Sequence, residues 1–112
     1  MPRSTRPGVE SKASAVLFAA LGDATRLGIV SRLSAGPMSI TSLTAGSQVT
    51  RQAITKHLRV LERASIVRCV RSGRHSLFEL DPEPMHELRD YLERVSAEWD
   101  QALLRLRSLV EE

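Results

Sequence analysis

The chain has 112 residues, enough for one ordinary domain and too few for a barrel enzyme or a two-domain cofactor enzyme. Hydrophobic residues make up 42% and charged residues 26%, the balance of a globular protein and not of a disordered one. The formal charge is +3, a value that by itself identifies no partner.

The first eight residues, Met-Pro-Arg-Ser-Thr-Arg-Pro-Gly, read as a flexible arm, leaving 9–112 as the domain. From Val9 the spacing of Ala13, Val16, Leu17, Ala20 and Leu21 predicts a helix that stops at Gly22. Asp23 is placed to cap a second helix carrying Leu27, Ile29, Val30 and Leu33, which ends at Gly36-Pro37. Ser39 is placed to cap a short third helix through Ile40 and Leu43, ending near Gly46. Thr50 is placed to cap a fourth helix reaching about Ala64, with Ala53, Ile54, Leu58 and Leu61 on its apolar side. A short helix, a turn of three or four residues and a second helix that opens on basic and polar residues form a helix-turn-helix pattern.

The period then changes. Ile66 to Val70 and His75 to Leu80 read as the strands of a β-hairpin, with Arg71 to Arg74 as a basic turn and Ser76, Phe78 and Leu80 on one face. Cys69 falls on the first strand, where core packing is expected, and a single cysteine excludes a disulfide framework or a multi-cysteine zinc site. Asp81-Pro82 opens a last helix, 82–111, with Met85, Leu88, Leu92, Val95, Trp99, Ala102, Leu106 and Leu109 alternating at three and four. The predicted class is mainly α (α+β): a winged helix-turn-helix of four helices, a hairpin wing and a long C-terminal dimerisation helix.

Charge follows the same partition. Residues 50–75 hold Arg51, Lys56, Arg59, Arg63, Arg68, Arg71 and Arg74 against Glu62 alone, a net +6, whereas 81–112 hold nine acids and four bases, a net −5. A duplex major groove admits one helix and displays a readable donor and acceptor code. Arg51 suits guanine, Gln52 suits adenine, Thr55 and Lys56 lie one turn on, and Thr50 can cap the helix and meet a phosphate. A solvated basic face is the plain alternative, but such faces carry interleaved acids and this one has none before Glu62. Arg59, further along the helix, and Arg71, Arg74 and His75 near the hairpin tip are candidates for further contacts. His57 is a candidate contact too, although helix packing accounts for it as well. The predicted partner is double-stranded DNA.

Three stretches carry a resemblance over about residues 13–110. They are Leu21-Gly22-Asp23-Ala24-Thr25-Arg26-Leu27-Gly28-Ile29-Val30, Val49-Thr50-Arg51-Gln52-Ala53-Ile54-Thr55-Lys56-His57-Leu58-Arg59-Val60-Leu61-Glu62 and Ser72-Gly73-Arg74-His75-Ser76-Leu77-Phe78-Glu79-Leu80. In this order and at these separations the chain resembles the ArsR-type bacterial transcriptional repressors. The resemblance implies groove contacts at Arg51, Gln52, Thr55 and Lys56. It also implies a two-fold homodimer through the first and last helices, with Val16, Leu17, Leu88, Leu92, Val95, Trp99, Ala102 and Leu106 as candidate interface residues.

Two departures stand out. The metal-ligand motifs of many relatives are missing: the third helix has no cysteine pair, and the last helix has His86 alone, so no metal and no cofactor are expected. Where the family commonly has glycine before Val49 and after Ala64, this chain has Gln48 and Ser65, so shifted helix ends are expected, with Gly46 taking the earlier turn. Catalysis is not expected, since no nucleophile-base spacing or phosphate-cradling glycine loop occurs. The alternatives are a repressor sensing a ligand or metal at a non-standard site, or a winged-helix protein-interaction module. The motifs point to no inducer, and the apolar run Ala15–Leu21 is too short to span a bilayer, so no membrane is expected and the cytoplasm is the expected compartment.

Overall fold

The computed structural model describes the backbone of residues 7–111 and the side chains of residues 14–111. Most of the expected arm therefore lies outside the described residues. Five helices and one hairpin follow in order: α1 Pro7–Leu21, α2 Ala24–Leu33, α3 Ile40–Ala45, α4 Arg51–Arg63, β1 Val67–Ser72, β2 His75–Leu80 and α5 Pro82–Glu111. The first helix starts at Pro7, two residues before Val9; proline is at home in a first turn, where its missing N–H has no partner to lose.

Each expected cap forms. The side chains of Asp23, Ser39 and Thr50 accept from the backbone N–H groups of Arg26, Ser42 and Ala53 at 3.0, 3.1 and 3.2 Å. Asp81 does the same at the start of α5, accepting from Glu83 N–H at 3.1 Å. Each bond satisfies one of the first-turn amides that a helix cannot satisfy internally.

The centre of the core is Leu43, Ile54, Leu58, Leu61 and Ile66, all fully buried. They come from α3, one face of α4 and the residue leading into β1. Leu17, Ala20, Ile29, Leu33, Phe78 and Leu88 extend this cluster. No single helix among the described residues is long and apolar enough to cross a membrane; the apolar pair Ser14–Leu21 and Ala24–Leu33 bends by 99° at its break.

The hairpin is antiparallel, with Val67 opposite Leu80 and Ser72 opposite His75. Its loop is only Gly73-Arg74, so Arg71 lies within β1 opposite Ser76 and not in the turn. Positive φ at Gly73 (62°) and not at Arg74 is the pattern of a tight type II′ connection. Phe78 is bonded on its other side to Met38, amide to carbonyl in both directions at 3.0 and 2.8 Å, so β2 is the inner strand. β1 is then the outer edge strand, and every residue of it after Val67 is exposed. This overturns the expected burial of Cys69, which is exposed because its strand has a neighbour on one side only.

The end of α4 explains one departure from the family pattern. Ser65 adopts φ 61°, the left-handed conformation that glycine takes freely. Its N–H donates to the Glu62 carbonyl and the Ile66 N–H donates to the Leu61 carbonyl, both at 2.9 Å. This is a Schellman closure, sealed by contact between two fully buried positions, Leu61 and Ile66. The helix end is not shifted; a serine is held where glycine is easier. The earlier turn differs from expectation as well. Gly46 has φ −91° and Gln48 is not left-handed either. What Gly46 provides is space: a Cβ there would stand 2.6 Å from an Arg32 guanidinium nitrogen. That guanidinium donates to the Leu43 and Ser42 carbonyls at 2.7 and 3.0 Å and so closes the C-terminal end of α3.

Ser65 is exposed, so replacing it removes strain without opening a cavity. Ser65→Gly is expected to stabilise the fold by about 0.5 kcal/mol, the relief of left-handed strain being partly offset by greater unfolded-chain entropy. Urea denaturation of the two proteins measures the difference; a loss of stability would show that the strain is not there.

Candidate nucleic-acid interface

The turn between α3 and α4 runs from Gly46 to Thr50, five residues and not three or four. The Ser47 hydroxyl accepts from Val49 N–H at 3.0 Å within it, a local bond that stabilises the longer turn. Burial of Ile54, Leu58 and Leu61 sets the rotation of α4 about its axis. At about 100° per residue, this directs Arg51, Gln52, Lys56 and Arg59 outward, and all four are exposed. With Thr55 they line a shallow, open concavity.

Two of these side chains are restrained. The Arg51 guanidinium donates to the Thr41 hydroxyl of α3 at 3.1 Å, which ties the two helices of the motif at their solvent edge. The Thr55 hydroxyl donates to the Arg51 carbonyl at 2.9 Å. Thr50 Oγ1 is occupied as an acceptor by the cap, and its O–H proton stays available to a further acceptor.

His57 is set apart from this group. It is half-buried, and its Nδ1 lies 3.3 Å from Arg26 Nη1 and 3.8 Å from Asp23 Oδ2. It turns toward the start of α2 and stands apart from the outward row. The Arg26 amide holds the Asp23 carboxyl below its ordinary value. Desolvation works the other way, and the charges of His57 and Arg26 add smaller downward contributions.

On the wing, Arg71, Arg74 and His75 are exposed. Arg68 is paired across the strands with Glu79 at 2.9 Å. Among the described residues, no group of three or more His, Cys, Asp or Glu side chains is placed to hold a metal ion.

The eight residues expected at a partner-facing seam divide by position. Leu17 and Leu88 are buried in the protomer's own core, because α1 and the first turns of α5 pack on each other there; they are core residues first. Val95 and Ala102 are half-buried, and Val16, Leu92, Trp99 and Leu106 are exposed. Among the described residues, Tyr91 packs against Phe18 of α1, edge to face at 5.7 Å. Beyond it the stripe is largely exposed among the described residues: Leu92 is 50% exposed and Trp99 64%. Leu103 and Val110 lie on the same side of the helix as Trp99 and are exposed too. Sequence reading missed them because a strict three-four alternation runs through Ala102 instead.

A short helix bridged to a reading helix, with a hairpin wing strapped beside them by Met38 and Phe78, defines a winged helix-turn-helix DNA-binding domain. Comparison with known proteins agrees. A helix-turn-helix domain family matches residues 21–70. The HTH-type transcriptional regulator Rv2034 of Mycobacterium tuberculosis is 36% identical over 92 residues, covering 82% of this chain and 83% of that protein. Among solved structures, an ArsR-like transcriptional regulator from Rhodococcus sp. RHA1 has a TM-score of 0.75 at 34% identity, covering 88% of this chain and 93% of its own. The homodimeric winged helix-turn-helix DNA-binding domain Mb0332 of Mycobacterium bovis shares the fold, with a TM-score of 0.65 at 18% identity over 88% of this chain and 90% of its own. The chain belongs to the ArsR-type winged helix-turn-helix transcriptional regulators. It is a DNA-binding regulator and not an enzyme.

The cap at Thr50 sets where the reading helix begins. Thr50→Ala is expected to cost about 1 kcal/mol of stability in urea unfolding, and Thr50→Asp to retain most of it, as for other helix N-caps. Equal losses in both variants would show that the hydroxyl serves something other than the cap.

Proposed function

We propose that the chain is a homodimeric, sequence-specific repressor that binds an inverted-repeat operator in double-stranded DNA and blocks transcription by occupying a promoter. The observation that carries this reading is the outward face of α4. Arg51, Gln52, Thr55, Lys56 and Arg59 share one concavity, and the exposed cations of the wing belong to the same domain.

In this reading α4 enters the major groove. Arg51, steadied by Thr41, addresses guanine through its two-pronged guanidinium, and Gln52 addresses adenine. Lys56 and Arg59 meet the flanking backbone, and the Thr50 hydroxyl donates to a phosphate. Arg74, with His75 and Arg71, lies along phosphates or in the neighbouring minor groove, where narrow A·T-rich segments attract cations.

The partner-facing surface is the uncovered stripe of α5, Leu92, Trp99 and Leu106 with Val95 and Ala102, together with Val16 of α1. Exposure of this much contiguous apolar surface is uncommon in a monomer. The Mycobacterium bovis neighbour, a homodimer, supports the same assembly. Two-fold symmetry then sets the reading helices about 34 Å apart, one duplex turn, and demands an inverted repeat. The acids of α5 keep that helix off the polyanion. Since the usual metal-ligand motifs are missing from α3 and α5, release from DNA does not run through those sites. A DNA-bound regulator with one unpaired cysteine works in the cytoplasm.

Gel shifts on the DNA upstream of the protein's own gene, at several salt concentrations, test the reading. Arg51→Ala is expected to lower affinity and relax base preference at one position. Arg74→Ala is expected to weaken binding to all sequences and to reduce the slope of log affinity against log salt by about one. Binding indifferent to salt and to both changes would overturn the assignment. Sedimentation tests the dimer separately: Trp99→Asp is expected to give monomers, and an intact dimer would move the seam elsewhere.

A further inference from the structure

One side chain breaks a local rule. Arg26 sits in the first turn of α2, three residues after the cap, where the positive end of the helix dipole disfavours a cation and where a capping box would place Glu or Gln. A local mismatch of this kind is tolerated when a non-local contact compensates for it. Here the guanidinium leaves its own helix. Its Nε donates to the Ala20 carbonyl and its Nη2 to the Ala19 carbonyl at 3.4 Å, both in the last turn of α1, where the dipole is negative; the Ala19 carbonyl also accepts from Gly22 N–H at 3.2 Å. Its Nη1 faces His57 Nδ1 of α4 at 3.3 Å. A guanidinium can only donate, so the contact is a hydrogen bond in the tautomer whose Nδ1 carries no proton. Three helices thus meet on one planar group whose donors point in fixed directions.

We infer that Arg26 is a positioning residue for DNA recognition: through His57 it fixes the tilt of the reading helix relative to α1. The inference rests on the DNA-binding reading and extends it to a residue that touches no DNA. In the proposed dimer, α1 lies at the two-fold axis and α4 lies in the groove. The distance between the two reading helices depends on every joint between those elements. Core packing fixes the rotation of α4 about its own axis. The Arg26–His57 contact adds a second point of attachment, six residues along the helix from Arg51, and so restrains its tilt.

The test uses an operator duplex selected by the wild-type protein from a random-sequence library. A copy with about two base pairs inserted between the half-sites disturbs the one-turn spacing, and a random-sequence duplex serves as the non-specific probe. His57→Leu and Arg26→Met are each expected to lose about tenfold in affinity for the operator and almost nothing for random DNA, the scale of one hydrogen bond to a charged group. Their preference for the correct spacing narrows by a similar factor. His57→Gln, whose amide oxygen still accepts from Arg26, retains the operator affinity. The double variant loses no more than Arg26→Met alone, because both changes remove one interaction.

Losses that multiply in the double variant would show that His57 acts on DNA by itself, and would overturn the inference. So would a folded His57→Leu protein with full operator affinity and unchanged spacing preference. Where Arg26→Met does not fold, the spacing preference of His57→Leu decides. Narrowing supports the positioning role, whereas a changed base preference at fixed spacing refutes it. If the wild-type protein selects no sequence at all, it is the DNA-reading assignment that fails.

Discussion

Burial of Ile54, Leu58 and Leu61 on one side of α4 is the constraint on which the rest of the structure depends. A helix has one rotation about its axis, so settling which side chains go inward settles which go outward. Each of the three is almost fully removed from water, a gain of roughly 1.5–3 kcal/mol apiece at the usual transfer scale. Rotating α4 by a single residue would expose this row and turn inward either Thr55, Arg59 and Glu62, at the cost of charge in an apolar site, or Ala53, His57 and Val60, a poorer apolar row. The basic face is therefore held outward by its opposite face. The α3 helix, the Ile66 entry into the wing and the Met38–Phe78 bridge are all arranged against that same buried row.

The net charge of +3 conceals the organisation of the molecule. The reading helix and wing are strongly basic, and α5 is acidic. A chain with the same +3 spread evenly would attract DNA at any orientation. Here the field itself orients the approach, because the end that carries the apolar stripe is repelled while α4 is drawn in. Shape reinforces the division. A helix of 30 residues is about 45 Å long, and only its first turns lie over the protomer's core, so the molecule extends to 65 Å along one axis.

Most of the architecture was legible in the sequence because each element carries both a period and a boundary. Asp23, Ser39 and Thr50 announce helix starts that propensity alone would blur, and each forms the bond expected of it; Asp81 forms one as well. The change to short β-branched runs at Ile66 announces the wing. What the sequence hid are relations between elements. Cys69 looked like a core residue because alternation along a strand is visible, whereas the position of that strand at the edge of its sheet is not. Leu88 fell in the same stripe as Trp99, and Leu17 beside Val16 on α1, because a continuous apolar face does not show where the protomer's own cover stops; among the described residues that boundary lies near Tyr91, which packs on Phe18. Gly46 looked like a backbone device, but the structure makes it a space for Arg32, a side chain fourteen positions earlier.

Those hidden relations share a feature. Arg32 closes the end of α3, Arg26 closes the end of α1, and Arg51 reaches back to Thr41; in each case a guanidinium joins two helices that the apolar core has already brought together. Core packing is non-directional and leaves helices free to slide and tilt by small amounts, whereas a forked donor fixes direction. In a chain with only four aromatic residues, the aliphatic core supplies the cohesion and these arginines supply the orientation. The proposed dimer, which holds two reading helices in register with a duplex, needs both, and only the first can be read from hydrophobic periodicity.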